Sequence, residues 1–78
     1  MTPPLSRREK QVIELLIRDL TIGQIALELG ISRQTVYSYI YNFRRKLGCQ
    51  TNVTAVIKAL KEGLIIFSYM NIGGNGLP

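Results

Sequence analysis

The sequence predicts an all-α domain of four helices, at about residues 7–19, 22–29, 33–47 and 52–62. Three observations predict it. Apolar residues recur at spacings of three and four along most of the chain, the period that gathers them on one face of a helix. Ser6, Thr21, Ser32 and Thr51 each stand just before such a stripe, where a side-chain oxygen can accept from an amide the helix leaves unpaired. Gly30, Gly48 and Gly63 each follow one, at the position where helices commonly turn left-handed and stop. With 78 residues the chain has room for one domain and one core.

Taken in order, Pro3 and Pro4 keep residues 1–5 extended, and Ser6 with Glu9 forms a capping-box pattern that starts the first helix near Arg7. Val12, Ile13, Leu16, Ile17 and Leu20 make its inward face, and it is expected to end near Asp19. Thr21 with Gln24 repeats the box for a short second helix striped by Ile22, Ile25, Ala26 and Leu29. Ser32 caps a third helix with Val36, Ile40, Phe43 and Leu47 on one stripe. Thr51 caps the fourth, on which Val53, Val56, Ile57 and Leu60 are expected to point inward while Ala55 and Ala59 widen the apolar arc. The domain is expected over residues 6–66. Residues 67–78 read as a partly disordered tail, fraying from Asn71, because Gly73, Gly74, Asn75 and Gly76 have nothing to order them.

Composition narrows the function. The formal charge is +5, and from Leu29 to Lys61 there is no acidic residue, while Arg33, Arg44, Arg45, Lys46, Lys58 and Lys61 fall in that stretch. A molecule cationic on one half suits a polyanionic partner. Histidine is absent and Cys49 is the single cysteine, which excludes imidazole acid–base chemistry, an internal disulfide and a Cys/His zinc site. No nucleophile, base or metal cluster has workable spacing, so neither catalysis nor a cofactor is implied. The start lacks the apolar core of a signal peptide and the longest apolar run is Leu64 to Phe67, so the expected location is the cytoplasm, with no membrane contact.

The second and third helices, joined by a short turn containing Gly30, have the proportions of a helix-turn-helix. Ala26 is small where the two helices approach, and Ile25, Leu29, Ile31 and Val36 fill the wedge between them. At ~100° per residue, Gln34, Tyr37, Ser38, Tyr41 and Arg45 fall opposite the core stripe, with Arg33 and Arg44 on its flank. That face is polar, aromatic and basic. A phenol at Tyr37 or Tyr41 can donate to a purine or a phosphate, and its ring can meet a thymine methyl; the plainer reading is two tyrosines covering the core edge. Gln34 can bond adenine or a phosphate, or stay solvated. Tyr39 is expected to pack against the first helix. Arg44, Arg45 and Lys46 suit phosphates, and equally suit the negative end of their own helix. The amide-bearing helix starts near Ile22 and Arg33, flanked by Thr21 and Thr35, are further phosphate anchors. About five phosphates per protomer would be neutralised, giving a salt slope of about −4 to −5.

These segments, with Leu5-Ser-Arg-Arg-Glu, Ile25-Ala-Leu-Glu-Leu-Gly-Ile-Ser, Thr35-Val36, Arg45-Lys-Leu-Gly, Ala55-Val-Ile-Lys-Ala-Leu and Gly63-Leu-Ile, resemble the LuxR/GerE-type DNA-binding domains of bacterial transcription regulators. The resemblance runs from Leu5 to Ile65. It implies sequence-directed binding of double-stranded DNA, with the third helix in the major groove, and homodimerisation largely through the last helix. Tyr37 holds a place that is usually Lys in the family and approaches base edges; Ser38 and Tyr41 are its groove-facing neighbours. Gly23 stands where a Lys is common, and Tyr39 where His is usual, so the groove side is less cationic and more aromatic than in relatives. The expected roles are base reading by Gln34, Tyr37, Ser38 and Tyr41, phosphate contact by Thr21, Arg33, Thr35, Arg44, Arg45 and Lys46, and a dimer interface of Val53, Ala55, Ile57, Ala59, Leu64 and Ile66. An apolar patch on so small a domain favours such a partner, unless the tail folds back and closes a monomer. Two alternatives stand beside this. One is an interaction module that pairs with and inhibits full-length LuxR-type regulators; the other is a sigma-factor-like promoter-binding domain, against which the segment after Leu47-Gly48 argues. No receiver or ligand-binding domain fits, so regulation is expected through synthesis and partner binding or through segments of a longer chain.

Overall fold

The computed structural model describes residues 5–65, and within them the chain forms four helices: α1 (Arg7–Ile17), α2 (Ile22–Leu29), α3 (Arg33–Leu47) and α4 (Asn52–Lys61). The expected tail at 67–78, Ile66 and most of the extended start lie outside the described residues. Each helix begins where its cap stands. Ser6 Oγ accepts from the Glu9 amide at 3.1 Å while Glu9 Oε1 accepts from the Ser6 amide at 2.8 Å. Thr21 and Gln24 repeat the exchange at 3.2 and 2.8 Å. Ser32 and Thr51 accept from the amides of Thr35 and Thr54. Such caps stabilise a helix by roughly 1 kcal/mol each, enough to set its first residue in short helices.

The ends differ slightly from expectation. α1 stops at Ile17 rather than near Asp19, because Asp19 turns left-handed at φ 68° and the Leu20 amide donates back to the Leu15 carbonyl at 3.1 Å. A short polar side chain tolerates that conformation, so the stop needs no glycine. Leu20 then packs against the core. α2 ends on Gly30 at φ 67°, where a β-carbon would be strained, and the Ile31 amide reaches the Ala26 carbonyl at 3.0 Å. That turn aims Ile31 inward and starts α3 three residues later.

α3 is the central element and packs against the other three helices. Val36, Ile40, Phe43 and Leu47 are buried along its whole length, and they meet Leu5, Val12, Ile13 and Leu15 from the α1 side, Ile25 and Ala26 from α2, and Ile65. α4 overturns one expectation. Ala55 and Ala59 are fully buried, while Val53 and Ile57 are 68% and 50% exposed. Small side chains at the contact let the axis of α4 approach α3 closely, and the bulkier residues rotate to solvent. Ala55 and Ala59 therefore serve the core of this chain and cannot form an interface with another. Leu64 is half-buried and Ile65 buried, so the expected exposed segment after α4 is, as far as it is described, folded onto the core. Lys58 caps the end of α3, its ammonium 2.8 Å from the Leu47 carbonyl. Among the described residues no helix is long and apolar enough to cross a membrane.

Candidate nucleic-acid interface

Two helices of unequal length present this surface. α2 packs against α3, which runs 15 residues, roughly 22 Å at the α-helical rise. Its buried stripe faces the core with almost no solvent contact, and the opposite side carries Gln34, Tyr37, Ser38, Tyr41, Asn42 and Arg45, all exposed. Tyr37 and Tyr41 are 58% and 57% exposed, so neither ring is spent covering the core edge. Tyr39 is half-buried and packs against the core.

The four expected base-reading residues thus share one face. Ser38 Oγ donates to the Gln34 carbonyl at 3.2 Å, which parks its hydrogen on the helix and leaves the oxygen lone pairs outward. Arg45 holds its guanidinium 5.7 Å from the centre of the Tyr41 ring, a cation–π contact that orders both side chains one helical turn apart. Asn42, one turn beyond Ser38, was not among the expected residues. Its amide can bond an adenine edge, and an Asn on the flank of an exposed helix was the available signal.

The expected phosphate contacts divide. Arg33 and Arg45 are exposed, Thr21 Oγ1 is occupied in capping α2, and the Thr35 hydroxyl lies 2.8 Å from Ser32 Oγ, the cap of α3. Arg44 is half-buried between the end of α3 and the start of α4, where an Nη lies 3.5 Å from Asn52 Oδ1 and the buried Nε has no partner among the described residues. Lys46 points the other way: its ammonium sits 2.8 Å from the buried Glu9 carboxylate. It ties the end of α3 to the start of α1 instead of standing free on the basic face.

Elsewhere on the surface, Val53, Ile57 and Leu60 are exposed on α4, and Val53, Val56 and Ile57 line a shallow apolar depression with Leu16 and Ile17. Of the expected dimer residues, Val53 and Ile57 are on this surface, Ala55 and Ala59 are inside, and Leu64 is half-buried.

Comparison with known proteins places this architecture. The family model described as bacterial regulatory proteins, luxR family, matches residues 3–59. The spore germination protein GerE of Bacillus subtilis (strain 168) is 44% identical over 61 residues, which cover 78% of this chain and 82% of GerE. The transcriptional regulatory protein UhpA of Escherichia coli (strain K12) is 42% identical over 50 residues, covering 64% of this chain and 26% of UhpA. The chain thus spans about a quarter of that longer relative. The solved structure of the transcription factor GerE superposes with a TM-score of 0.77 at 33% sequence identity, covering 81% of this chain and 94% of that one.

Proposed function

This chain belongs to the luxR family of bacterial regulatory proteins and is a LuxR/GerE-type DNA-binding domain, not an enzyme; from that premise we propose that it reads duplex DNA as a homodimer, with α3 in the major groove of each half-site. The observation that carries this reading is the division of α3 into a fully packed stripe and an unobstructed face of Gln34, Tyr37, Ser38, Tyr41 and Arg45. A helix fits the groove, which is about 12 Å wide, and only side chains free of tertiary packing can reach base edges there. Arg33, Arg44 and Arg45, with Thr21 and Thr35, hold the phosphates on either side. Selection of bound fragments from random duplexes tests the whole reading. It should enrich a two-fold symmetric site with half-site centres roughly 34 to 36 Å apart. Recovery of fragments with no common sequence would sink it.

Because Lys46 is engaged by Glu9, three arginines of α3 remain as its phosphate cations. Log affinity against log salt is therefore expected to fall with a slope of about −3 per protomer, shallower than five contacts would give. Arg45→Ala should weaken every duplex alike, by about tenfold, and take about 0.9 off the slope. Tyr41→Ala should instead change which sequences are preferred. Since its ring also orders Arg45, Tyr41→Phe separates the two roles: it keeps the ring and removes the hydroxyl. An unchanged sequence preference in both Tyr41 variants removes Tyr41 from base reading.

The exposed stripe of α4 favours a second reading, a module that pairs with other LuxR-type regulators and silences them. Random-duplex selection that enriches nothing, together with a regulator co-purifying through Val53 and Ile57, is the outcome that reading requires.

A further inference from the structure

Gly23 and Arg33 are each hard to explain alone. Gly23 lies in the first turn of the eight-residue α2, and its φ is not in the left-handed region that calls for glycine. In that setting alanine is the better helix former, so the backbone gives no reason for the residue. Arg33 opens α3, where the positive end of the helix disfavours a cation, and neither α2 nor α3 has an acidic residue in its first turn. Among the described residues no carboxylate pairs with it. Space joins the two. A β-carbon at position 23 would lie 3.0 Å from an Arg33 Nη, 3.2 Å from its Nε and 3.4 Å from its Cζ. The Nε–Nη edge of the guanidinium therefore lies in the room that the missing side chain leaves.

We propose that Gly23 is a positioning residue for DNA binding: its bare Cα seats the Arg33 guanidinium against α2, so that the charge meets the phosphate backbone already oriented. The inference rests on the DNA-binding reading above and deepens it. Shape holds the guanidinium there, since local electrostatics repel it. An arginine loose in solvent must be ordered when it meets a phosphate; one seated beforehand has less freedom to lose. A β-carbon at 23 obliges the group to give way, by a few tenths of an ångström for alanine and by more for a larger side chain. The displacement is easy, because only the far end of a flexible side chain moves, so the fold survives the substitution that removes the seat.

The test uses the full chain and a short random-sequence DNA duplex, with affinity read by anisotropy across a salt series. Arg33→Ala should lose about tenfold and lower the salt slope by about 0.9. Gly23→Ala should lose about three- to tenfold while its thermal midpoint rises, opposite signs that a merely structural glycine does not give. With Ala already at 33, adding Gly23→Ala should cost no further affinity. Wild-type affinity in Gly23→Ala, a lowered midpoint, or an equal loss in the Arg33→Ala background each overturns the seating while leaving the DNA-binding reading in place. A wild-type chain that binds no duplex overturns both.

Discussion

Ile57→Asp is expected to lower affinity for a palindromic duplex about 100-fold, and to leave affinity for a single half-site unchanged. Val53, Ile57 and Leu60 lie at positions four and three apart, so they form one stripe on α4, and all three are exposed. Ile57 also borders the depression shared with Leu16 and Ile17, which makes the apolar surface continuous from α4 to α1. In a two-fold interface each residue near the axis faces its own copy or that copy's neighbours. An aspartate there brings two carboxylates together and buries them without partners. In the monomer the same position is 50% exposed, so the substitution costs little folding stability. Linking two half-site readers raises apparent affinity by roughly 100- to 10,000-fold with no new base contact, and that is the factor the variant forfeits. Sedimentation across protein concentrations, alone and on the palindrome, reads the assembly directly. Undiminished palindrome affinity in Ile57→Asp would refute a dimer built on α4.

The limits of the helices were legible because each is set by local chemistry. Ser6, Thr21, Ser32 and Thr51 announce their helices within four residues of sequence, and the structure shows each side chain accepting the expected amide. The outward face of α3 was legible for a related reason: four large apolar residues at strict spacing leave one inward direction. α4 lacks that contrast. Val53, Ala55, Val56, Ile57, Ala59 and Leu60 spread over so wide an arc that periodicity does not choose its centre, and weighting by size chose the wrong side. Close approach to α3 favours the alanines, a fact about a neighbouring helix that no local window contains. The end of α1 was misplaced because Asp19 does what glycine usually does. Asn42 and the seat at Gly23 escaped because one is a single polar residue and the other is an absence.

The pairing of Lys46 with Glu9 was invisible for the plainest reason, a separation of 37 residues, and it yields the second large effect. Lys46→Met is expected to destabilise the domain by about 3 kcal/mol, or about 15 °C in thermal midpoint for a chain of this size. The Glu9 side chain is only 5% exposed, and the same Oε1 accepts both the Ser6 amide and the Lys46 ammonium at 2.8 Å. Removing the ammonium leaves a carboxylate that water can barely reach. Lys46 is 31% exposed, which places the loss at the lower end of the range for broken buried pairs. A domain of this size has roughly 3 to 9 kcal/mol in all, so the variant should be marginal at room temperature and folded in the cold. Glu9→Gln in the same chain keeps an oxygen for the Ser6 amide and removes the stranded charge. The double variant should therefore recover part of the loss, with a coupling of about 1 to 2 kcal/mol. DNA binding measured in the cold then separates fold from function. If Lys46 belongs to α1 rather than to the duplex, Lys46→Met keeps the wild-type salt slope; a slope shallower by about 0.9 would return Lys46 to the phosphate backbone.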